Sequence, residues 1–167
     1  MFGPTFDNIK TEKTALHKTF DIVTLCVFAI TIVLLIMNWT KLPDTVPIHF
    51  NIKGEADGWG SKYTLFILPF VTIGLYSFMT MFESKPHFYN YAVTITKENV
   101  ERQFKFARAI MNVIKNICVL LMSFIIISTV FDAKETPIPY SNVIIFSFIA
   151  LLIVVTIFTV VRSIQLK

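Results

Sequence analysis

The chain of 167 residues is strongly apolar, with 54% hydrophobic and 16% charged residues, where soluble domains carry about 25% charged residues. This composition excludes an ordinary soluble domain and predicts one membrane domain, because several spans leave little chain for a second unit. The net charge of +4 comes from basic residues near the ends of apolar runs, where such residues set membrane orientation. We therefore expect no nucleic-acid partner.

Four apolar runs follow one another along the chain, each close to the roughly 20 residues that cross a hydrocarbon core. The second and fourth runs have almost no polar stripe, unlike helices of a soluble bundle. We predict an all-α membrane protein with four transmembrane helices and a short ordered extracytoplasmic loop, with a short strand, between helices 1 and 2. The single domain, 1–167, comprises a motif-bearing helical hairpin, 15–82, and a second helical hairpin with an amphipathic lead-in, 83–167. The predicted spans are 22–39, 63–82, 109–131 and 143–161.

The distribution of Lys and Arg residues predicts the orientation. Cytoplasmic loops carry an excess of these residues. Most of the 15 lie in the N-terminal tail, between the second and third spans, or at the C-terminus. We therefore predict a multi-pass protein of the cell membrane with cytoplasmic N- and C-termini and an outward loop 42–62. The residues assigned to the cytoplasmic side are Lys10, Lys13, Lys18, Lys85, Lys97, Arg102, Lys105, Arg108, Arg162 and Lys167.

The outward loop 42–62 concentrates the Pro, Gly, His, Asn and Asp residues. Residues 46–53 alternate between apolar and polar types, which predicts a short strand or extended segment, and Gly54 and the Asp57-Gly58 pair then indicate turns. His49, Asn51 and Asp57 are candidate binding residues that could converge on an ion or polar ligand. In the alternative, His49 and Asn51 hydrogen-bond the loop backbone while Asp57 opens a turn, as polar side chains in tight turns usually do. No metal-ligand spacing is present, so we expect no metal.

The segment 86–96 alternates in the same way, with Tyr89 and Tyr91 on one face. Thr96 is the predicted N-cap of a helix that runs without a break to residue 131, with Glu98 in its first turn. Polar residues recur along this helix at helical spacing and climb from the cytoplasm into the membrane. They are Glu101, Lys105, Arg108, Asn112, Lys115 and Asn116.

Two interpretations of this stripe remain open. In the first, Asn112 and Lys115 are binding residues of a polar crevice that accepts an anionic group, because charges at membrane depth usually face a bundle interior or a cavity. In the second, Lys115 extends its ammonium group to the headgroups, and the Asn residues join helices. At the cytoplasmic interface, we expect Asp21 to pair with Arg108 or Lys105.

The sequence does not predict an enzyme. None of the three histidines lies inside an apolar run, and neither a paired intramembrane Asp nor a Gly-x-Ser-x-Gly motif is present. Cys26 and Cys118 lie in apolar runs, which argues against a disulfide framework. We therefore expect no catalytic residue and no cofactor.

Two segments resemble a known family. The run from Leu42 to Asn51, followed by Gly54, the Asp57-Gly-Trp-Gly segment and Lys62, resembles the signature of the bacterial domain of unknown function 1648 family. That family is related to the N-terminal part of the Sdp-type immunity proteins. Segments 86–91 and 95–99 resemble the second half of its short members. The resemblance implies a role in immunity or signalling without assigning chemistry to the motif residues Pro43, Asp44, Pro47, His49, Phe50, Asn51, Gly54, Asp57, Gly58 and Gly60.

Three functions compete. The first is a non-enzymatic integral membrane protein of the immunity or sensing type, which recognises a peptide, lipid or protein partner through the outward loop. The second is an accessory subunit of a membrane complex. The third is a small transporter in which Asn112, Lys115 and Asn116 line a path, and which requires a homo-oligomer because four short spans rarely enclose a path alone. All three place the chain among membrane lipids.

Overall fold

A computed structural model of the chain describes Phe6, Ile9 and residues 11–167. Within this part of the chain, all four helices are long and apolar enough to cross a membrane, and a two-stranded antiparallel sheet lies between the first two. The predicted fold class is confirmed, and the chain is a multi-pass membrane protein. Lys10, which entered the prediction of orientation, lies outside the described residues. The elements are α1 (Ala15–Asn38), β1 (Thr45–Phe50), β2 (Ala56–Ser61), α2 (Ile67–Glu83), α3 (Val100–Ala133) and α4 (Ser141–Gln165).

Helix α1 begins seven residues before the predicted span because a capping box fixes its first turn. The Thr14 Oγ1 atom accepts a hydrogen bond from the His17 backbone N–H at 3.3 Å. The His17 Nδ1 atom accepts one in return from the Thr14 backbone N–H at 3.4 Å. These reciprocal bonds satisfy donors that a helix start leaves free. The early start places Asp21 within the helix rather than at its end.

Helix α3 is the central helix and packs against α1, α2 and α4. The predicted N-cap at Thr96 is wrong, because α3 begins at Val100 and the N-cap position belongs to Asn99. The Asn99 side chain accepts a hydrogen bond from the Thr96 backbone N–H at 2.9 Å and donates one to the Thr94 carbonyl at 3.0 Å. These two bonds hold the backbone before α3 in a turn that competes with the helix.

The alternating segment 86–96 does not form a strand. It opens with a 3₁₀ turn, Pro86–Phe88, and continues as irregular backbone. The Tyr89 hydroxyl donates to the Phe82 carbonyl and the Tyr91 hydroxyl to the Pro86 carbonyl, each at 2.8 Å. Burial raises the pKa of both phenols. The alternation therefore reflects aromatic side chains folded back on the end of α2, not pairing with another strand.

The apolar core lies at the end of the bundle that carries the sheet. Val46 of β1 is fully buried there, and β1 packs against α3. Large apolar side chains elsewhere on α1, α2 and α4 are exposed, as expected of surfaces that face lipid. The sheet is therefore seated on the helices as an ordered cap. The core residues are Leu35, Leu42, Val46, Leu65, Ile126, Val130 and Ala133.

Candidate functional site

Of the three residues predicted to converge in the loop, the β1–β2 hairpin brings His49 and Asp57 together. The turn predicted at Asp57-Gly58 is wrong, because both residues lie in β2. In the antiparallel register His49 lies opposite Gly58, with irregular pairing on both sides of His49. The His49 Nδ1 atom lies 2.5 Å from Asp57 Oδ1, and the two side chains are 73% and 43% exposed. An ionised carboxylate can only accept, so Nδ1 carries the proton, and Nε2 of a neutral ring remains an acceptor. The pair therefore presents an imidazole that is exposed to solvent and held in one orientation by the Asp57 carboxylate.

Asn51 does not join this pair. Its Oδ1 atom accepts hydrogen bonds from the backbone N–H groups of Lys53 at 2.9 Å and Glu55 at 3.1 Å. Its Nδ2 atom donates to Glu55 Oε2 at 2.9 Å. Asn51 thus forms the turn between the strands, which is the role that the alternative interpretation gives it.

The base of the loop is closed by Asp44 and Lys62. The Lys62 backbone N–H donates to the Asp44 carbonyl at 2.9 Å, and the Lys62 ammonium lies 3.0 Å from Asp44 Oδ1. Pro43 is exposed beside this contact, whereas Pro47, within β1, is buried. The motif residues Pro43, Asp44 and Pro47 therefore shape the base of the hairpin.

Gly54 allows the tip of the hairpin to lie against α4. Its φ of +83° belongs to the left-handed region, which non-glycine residues rarely adopt. A Cβ atom at this position would lie 2.9 Å from Asn142 Cβ. The Asn142 Nδ2 atom donates to the Lys53 carbonyl at 3.0 Å and ties the tip to α4.

Gly58 and Gly60 lie where side chains of β1 cross β2. A Cβ atom at Gly58 would lie 2.8 Å from His49 Cβ, and one at Gly60 would lie 2.8 Å from Ile48 Cδ1. Both separations are too short for real carbon atoms. The two glycines therefore give His49 and Ile48 the space that they occupy.

A second polar assembly lies inside the helix bundle, at the end opposite to the hairpin. Lys115 of α3 is completely buried, and its ammonium lies 2.7 Å from Glu83 Oε2 of α2 and 2.9 Å from Asp21 Oδ1 of α1. Three helices thus meet at one ammonium group. We call this assembly the inner charge cluster; its members are Lys13, Asp21, Glu83, Asn112, Lys115 and Asn116.

Two amides complete the hydrogen bonding of the buried carboxylates. The Asn112 Nδ2 atom donates to Asp21 Oδ1 at 2.9 Å and to Glu83 Oε1 at 3.2 Å. The Asn116 Nδ2 atom donates to Asp21 Oδ1 at 3.0 Å. Charges buried in a low-dielectric interior require such partners, because their desolvation is costly. The amides therefore make it feasible to bury both carboxylates.

The segment before α1 closes the cluster from outside. The Lys13 ammonium lies 2.5 Å from Asp21 Oδ2 and 3.2 Å from Glu83 Oε2. Partial burial by itself lowers the pKa of Lys13, but the two carboxylates outweigh it and raise that pKa. Arg108 donates to the carbonyl and to the Oγ1 atom of Thr11. Within the cluster, the ammonium groups of Lys13 and Lys115 thus balance the carboxylates of Asp21 and Glu83.

The predicted pairing of Asp21 with Arg108 or Lys105 is wrong. Asp21 lies six residues into α1, about 9 Å along its axis at 1.5 Å per residue, and therefore reaches Lys115, beyond the level of Arg108. Lys105 instead pairs with Glu101 on the surface at 2.6 Å. Lys115 does not extend to the headgroups.

Glu83 is the member of the cluster that sequence reasoning missed. It directly follows the second apolar run, and a carboxylate at a span end can turn inward when a neighbouring helix supplies a cation. Glu83 is completely buried. The anionic partner predicted for Lys115 is thus supplied by the protein itself.

Among the residues that the structure describes, no group of three or more His, Cys, Asp or Glu side chains could hold a metal ion.

Comparisons with known proteins support the family for one segment. Residues 26–73 match the model described as "Domain of unknown function (DUF1648)". An uncharacterized protein of Archaeoglobus fulgidus is 47% identical over 36 residues, which are 22% of this chain and 20% of that protein. The alignment therefore spans a small part of the relative. No solved structure matches the chain. The segment that matches the family model comprises most of α1, the β1–β2 hairpin and the beginning of α2.

Proposed function

We propose that the protein is a non-enzymatic component of the cell membrane, of the immunity or sensing type, which recognises a peptide or protein partner through the outward hairpin 42–62. The exposed His49–Asp57 pair is the observation that carries this proposal. Its imidazole is oriented by a carboxylate, and both side chains are open to solvent. An oriented imidazole can donate a hydrogen bond at Nδ1 and accept another at Nε2.

The pair is not needed to hold the hairpin in shape. Asn51 forms the turn, Asp44 and Lys62 close the base, and Asn142 fixes the tip. Exposed ion pairs contribute little to stability. A rigid scaffold that presents polar side chains on a loop is a common arrangement for binding. Recognition therefore explains the His49–Asp57 pair better than stability does.

Helix α3 joins the hairpin to the opposite side of the membrane. It packs against β1 near one end and carries Lys115 of the inner charge cluster nearer the other. In a sensing role, binding at the hairpin would shift α3 and strain the cluster. Because the cluster also holds Lys13, such a shift would reach the segment before α1. The match over residues 26–73 supports the resemblance to the domain of unknown function 1648 family. The immunity role rests on the relation of that family to Sdp-type immunity proteins, which is part of this proposal.

The test is mass spectrometry of proteins and peptides that co-purify with the tagged protein from its native membrane in mild detergent. We expect a specific peptide or protein with the wild type and its loss, by about tenfold or more, with the double variant His49→Gln, Asp57→Asn. Loss of one good polar contact, about 1.4 kcal/mol, already gives tenfold. Glu135→Gln is the control, because it removes an exposed charge after α3 and leaves the hairpin unchanged.

Three outcomes separate the competing functions. A partner retained equally by the double variant would contradict recognition through His49 and Asp57. A homo-oligomer without any partner would favour the oligomeric transporter. A stable multi-subunit complex that both variants retain would favour an accessory subunit.

A further inference from the structure

A cavity of 210 Å³ lies between the tip of the hairpin, the last turns of α3 and the first turns of α4. Phe50 and Gly54 of the hairpin form one wall, Ile125 and Asp132 of α3 a second, and Ile145 with its neighbours on α4 a third. Most of its lining surface is apolar, five neutral polar residues also border it, and Asp132 supplies its one charged side chain. The cavity is separate from the His49–Asp57 pair and from the inner charge cluster.

Asp132 differs from the acidic side chains that the structure pairs with bases. Among the described residues, none places a basic nitrogen within 4.0 Å of its carboxylate. The nearby Lys134 ammonium instead donates to Asn38 Oδ1 at 2.8 Å. Asp132 is also partly buried, so water solvates it incompletely. A carboxylate in an apolar cavity is complementary to an ammonium group carried on an apolar chain.

The depth of Asp132 identifies the source of that ammonium group. Asp132 is the second-last residue of α3 and directly follows the apolar run 109–131, which places it at headgroup level. The cavity volume equals about seven water molecules at about 30 Å³ each, enough for a headgroup but not for a whole lipid. Phe146, which lines the cavity, and Ile149, one turn further along α4, are 49% and 41% exposed and extend the cavity as an apolar surface. Acyl chains can follow that surface into the bilayer.

We propose that this cavity binds the headgroup of a phospholipid that carries a primary ammonium group, such as phosphatidylethanolamine. The ammonium donates to the Asp132 carboxylate, and the acyl chains lie along the exposed face of α4. The hairpin contributes Phe50 and Gly54 to the cavity, so a bound lipid braces the tip of the hairpin against α4. This inference does not depend on the partner proposed for His49 and Asp57.

The test is native mass spectrometry of the full chain, purified in detergent and exposed to an equimolar mixture of phosphatidylethanolamine, phosphatidylcholine and phosphatidylglycerol. We expect selective retention of phosphatidylethanolamine and about tenfold less of it with Asp132→Asn, because a charge-assisted hydrogen bond is lost. Glu135→Gln, which removes a negative charge three residues away and outside the cavity, should retain the lipid like the wild type. The His49→Gln, Asp57→Asn variant should also retain it, which separates this test from that of the hairpin partner.

A second pair of variants tests the cavity without changing its charge. Ile145→Trp fills the cavity and should reduce lipid retention, whereas Val143→Trp, on another face of α4 and outside the cavity lining, should not. Equal retention of all three lipids, or unchanged retention of phosphatidylethanolamine by both Asp132→Asn and Ile145→Trp, would overturn the proposal. A co-purifying peptide that Asp132→Asn releases would replace the lipid with a peptide ammonium as the occupant.

Discussion

Lys115 puts a full positive charge among apolar helices, where an unpaired ammonium would be costly. Two carboxylates from two other helices lie within 2.9 Å of it, and the Asn112 amide joins both. We expect Glu83→Gln to lower the free energy of unfolding by about 3 kcal/mol, since breaking a buried pair leaves a charge uncompensated. Thermal unfolding of the purified protein in one detergent measures this change.

The double variant Glu83→Gln, Lys115→Met distinguishes a charge effect from a packing effect. It removes both charges together, so its cost should be smaller than the sum of the two single costs by more than about 1 kcal/mol. Glu101→Gln breaks the exposed pair with Lys105 and should change stability little. Additive costs for Glu83 and Lys115 would mean that their ion pair does not stabilise the bundle.

At the scale of secondary-structure elements, local patterns predict the helices and the strand well. Apolar runs of span length and a period-two segment are properties of the chain itself, so α1 to α4 and β1 follow from sequence. The inner charge cluster cannot be predicted from such local patterns, because Asp21, Glu83 and Lys115 are far apart in sequence and meet only when three helices pack. The meeting of His49 and Asp57 was foreseeable, since a turn signal lies between them. The alternation in 86–96 does not mark a strand, because the Tyr89 hydroxyl bonds to α2 and the Tyr91 hydroxyl to the 3₁₀ turn that follows it.

The hairpin offers a test of the role of its glycines. Gly58→Ala places a carbon atom 2.8 Å from the His49 Cβ atom. We expect it to destabilise the protein by about 1–2 kcal/mol, because overpacking forces backbone shifts. It should also displace His49 from Asp57, which the NMR chemical shifts of the His49 ring can report.

Gly74→Ala is the matched control within the same molecule. Gly74 lies inside α2, and a Cβ atom there would meet nothing within 4 Å. Alanine has the higher helix propensity, so we expect equal or greater stability, by up to about 1 kcal/mol. If both variants behaved alike, crowding against His49 would not explain the glycine at position 58.

At the scale of the whole molecule, the structure places Thr11 and the C-terminal residue Lys167 beside the N-terminal part of α3. The Arg102 guanidinium donates to the Lys167 carbonyl at 2.7 Å, and Arg108, two turns further along α3, binds Thr11. The hairpin lies at the other end of the bundle. Which end faces the cytoplasm is a prediction from the distribution of Lys and Arg, and partner recognition from outside depends on it.

Cysteine accessibility tests this orientation. The background is a chain with Cys26→Ala and Cys118→Ala, whose thiols otherwise lie in apolar helices. Single substitutions Glu55→Cys, Thr136→Cys, Lys97→Cys and Lys167→Cys then report four exposed positions. In intact cells, a membrane-impermeant maleimide should label the first two, and should label the last two only after the membrane is opened.

The basic residues cluster beside Lys97 and Lys167, and basic segments stay in the cytoplasm during insertion. The reverse labelling pattern would place the His49–Asp57 pair in the cytoplasm, and any partner would then have to be intracellular.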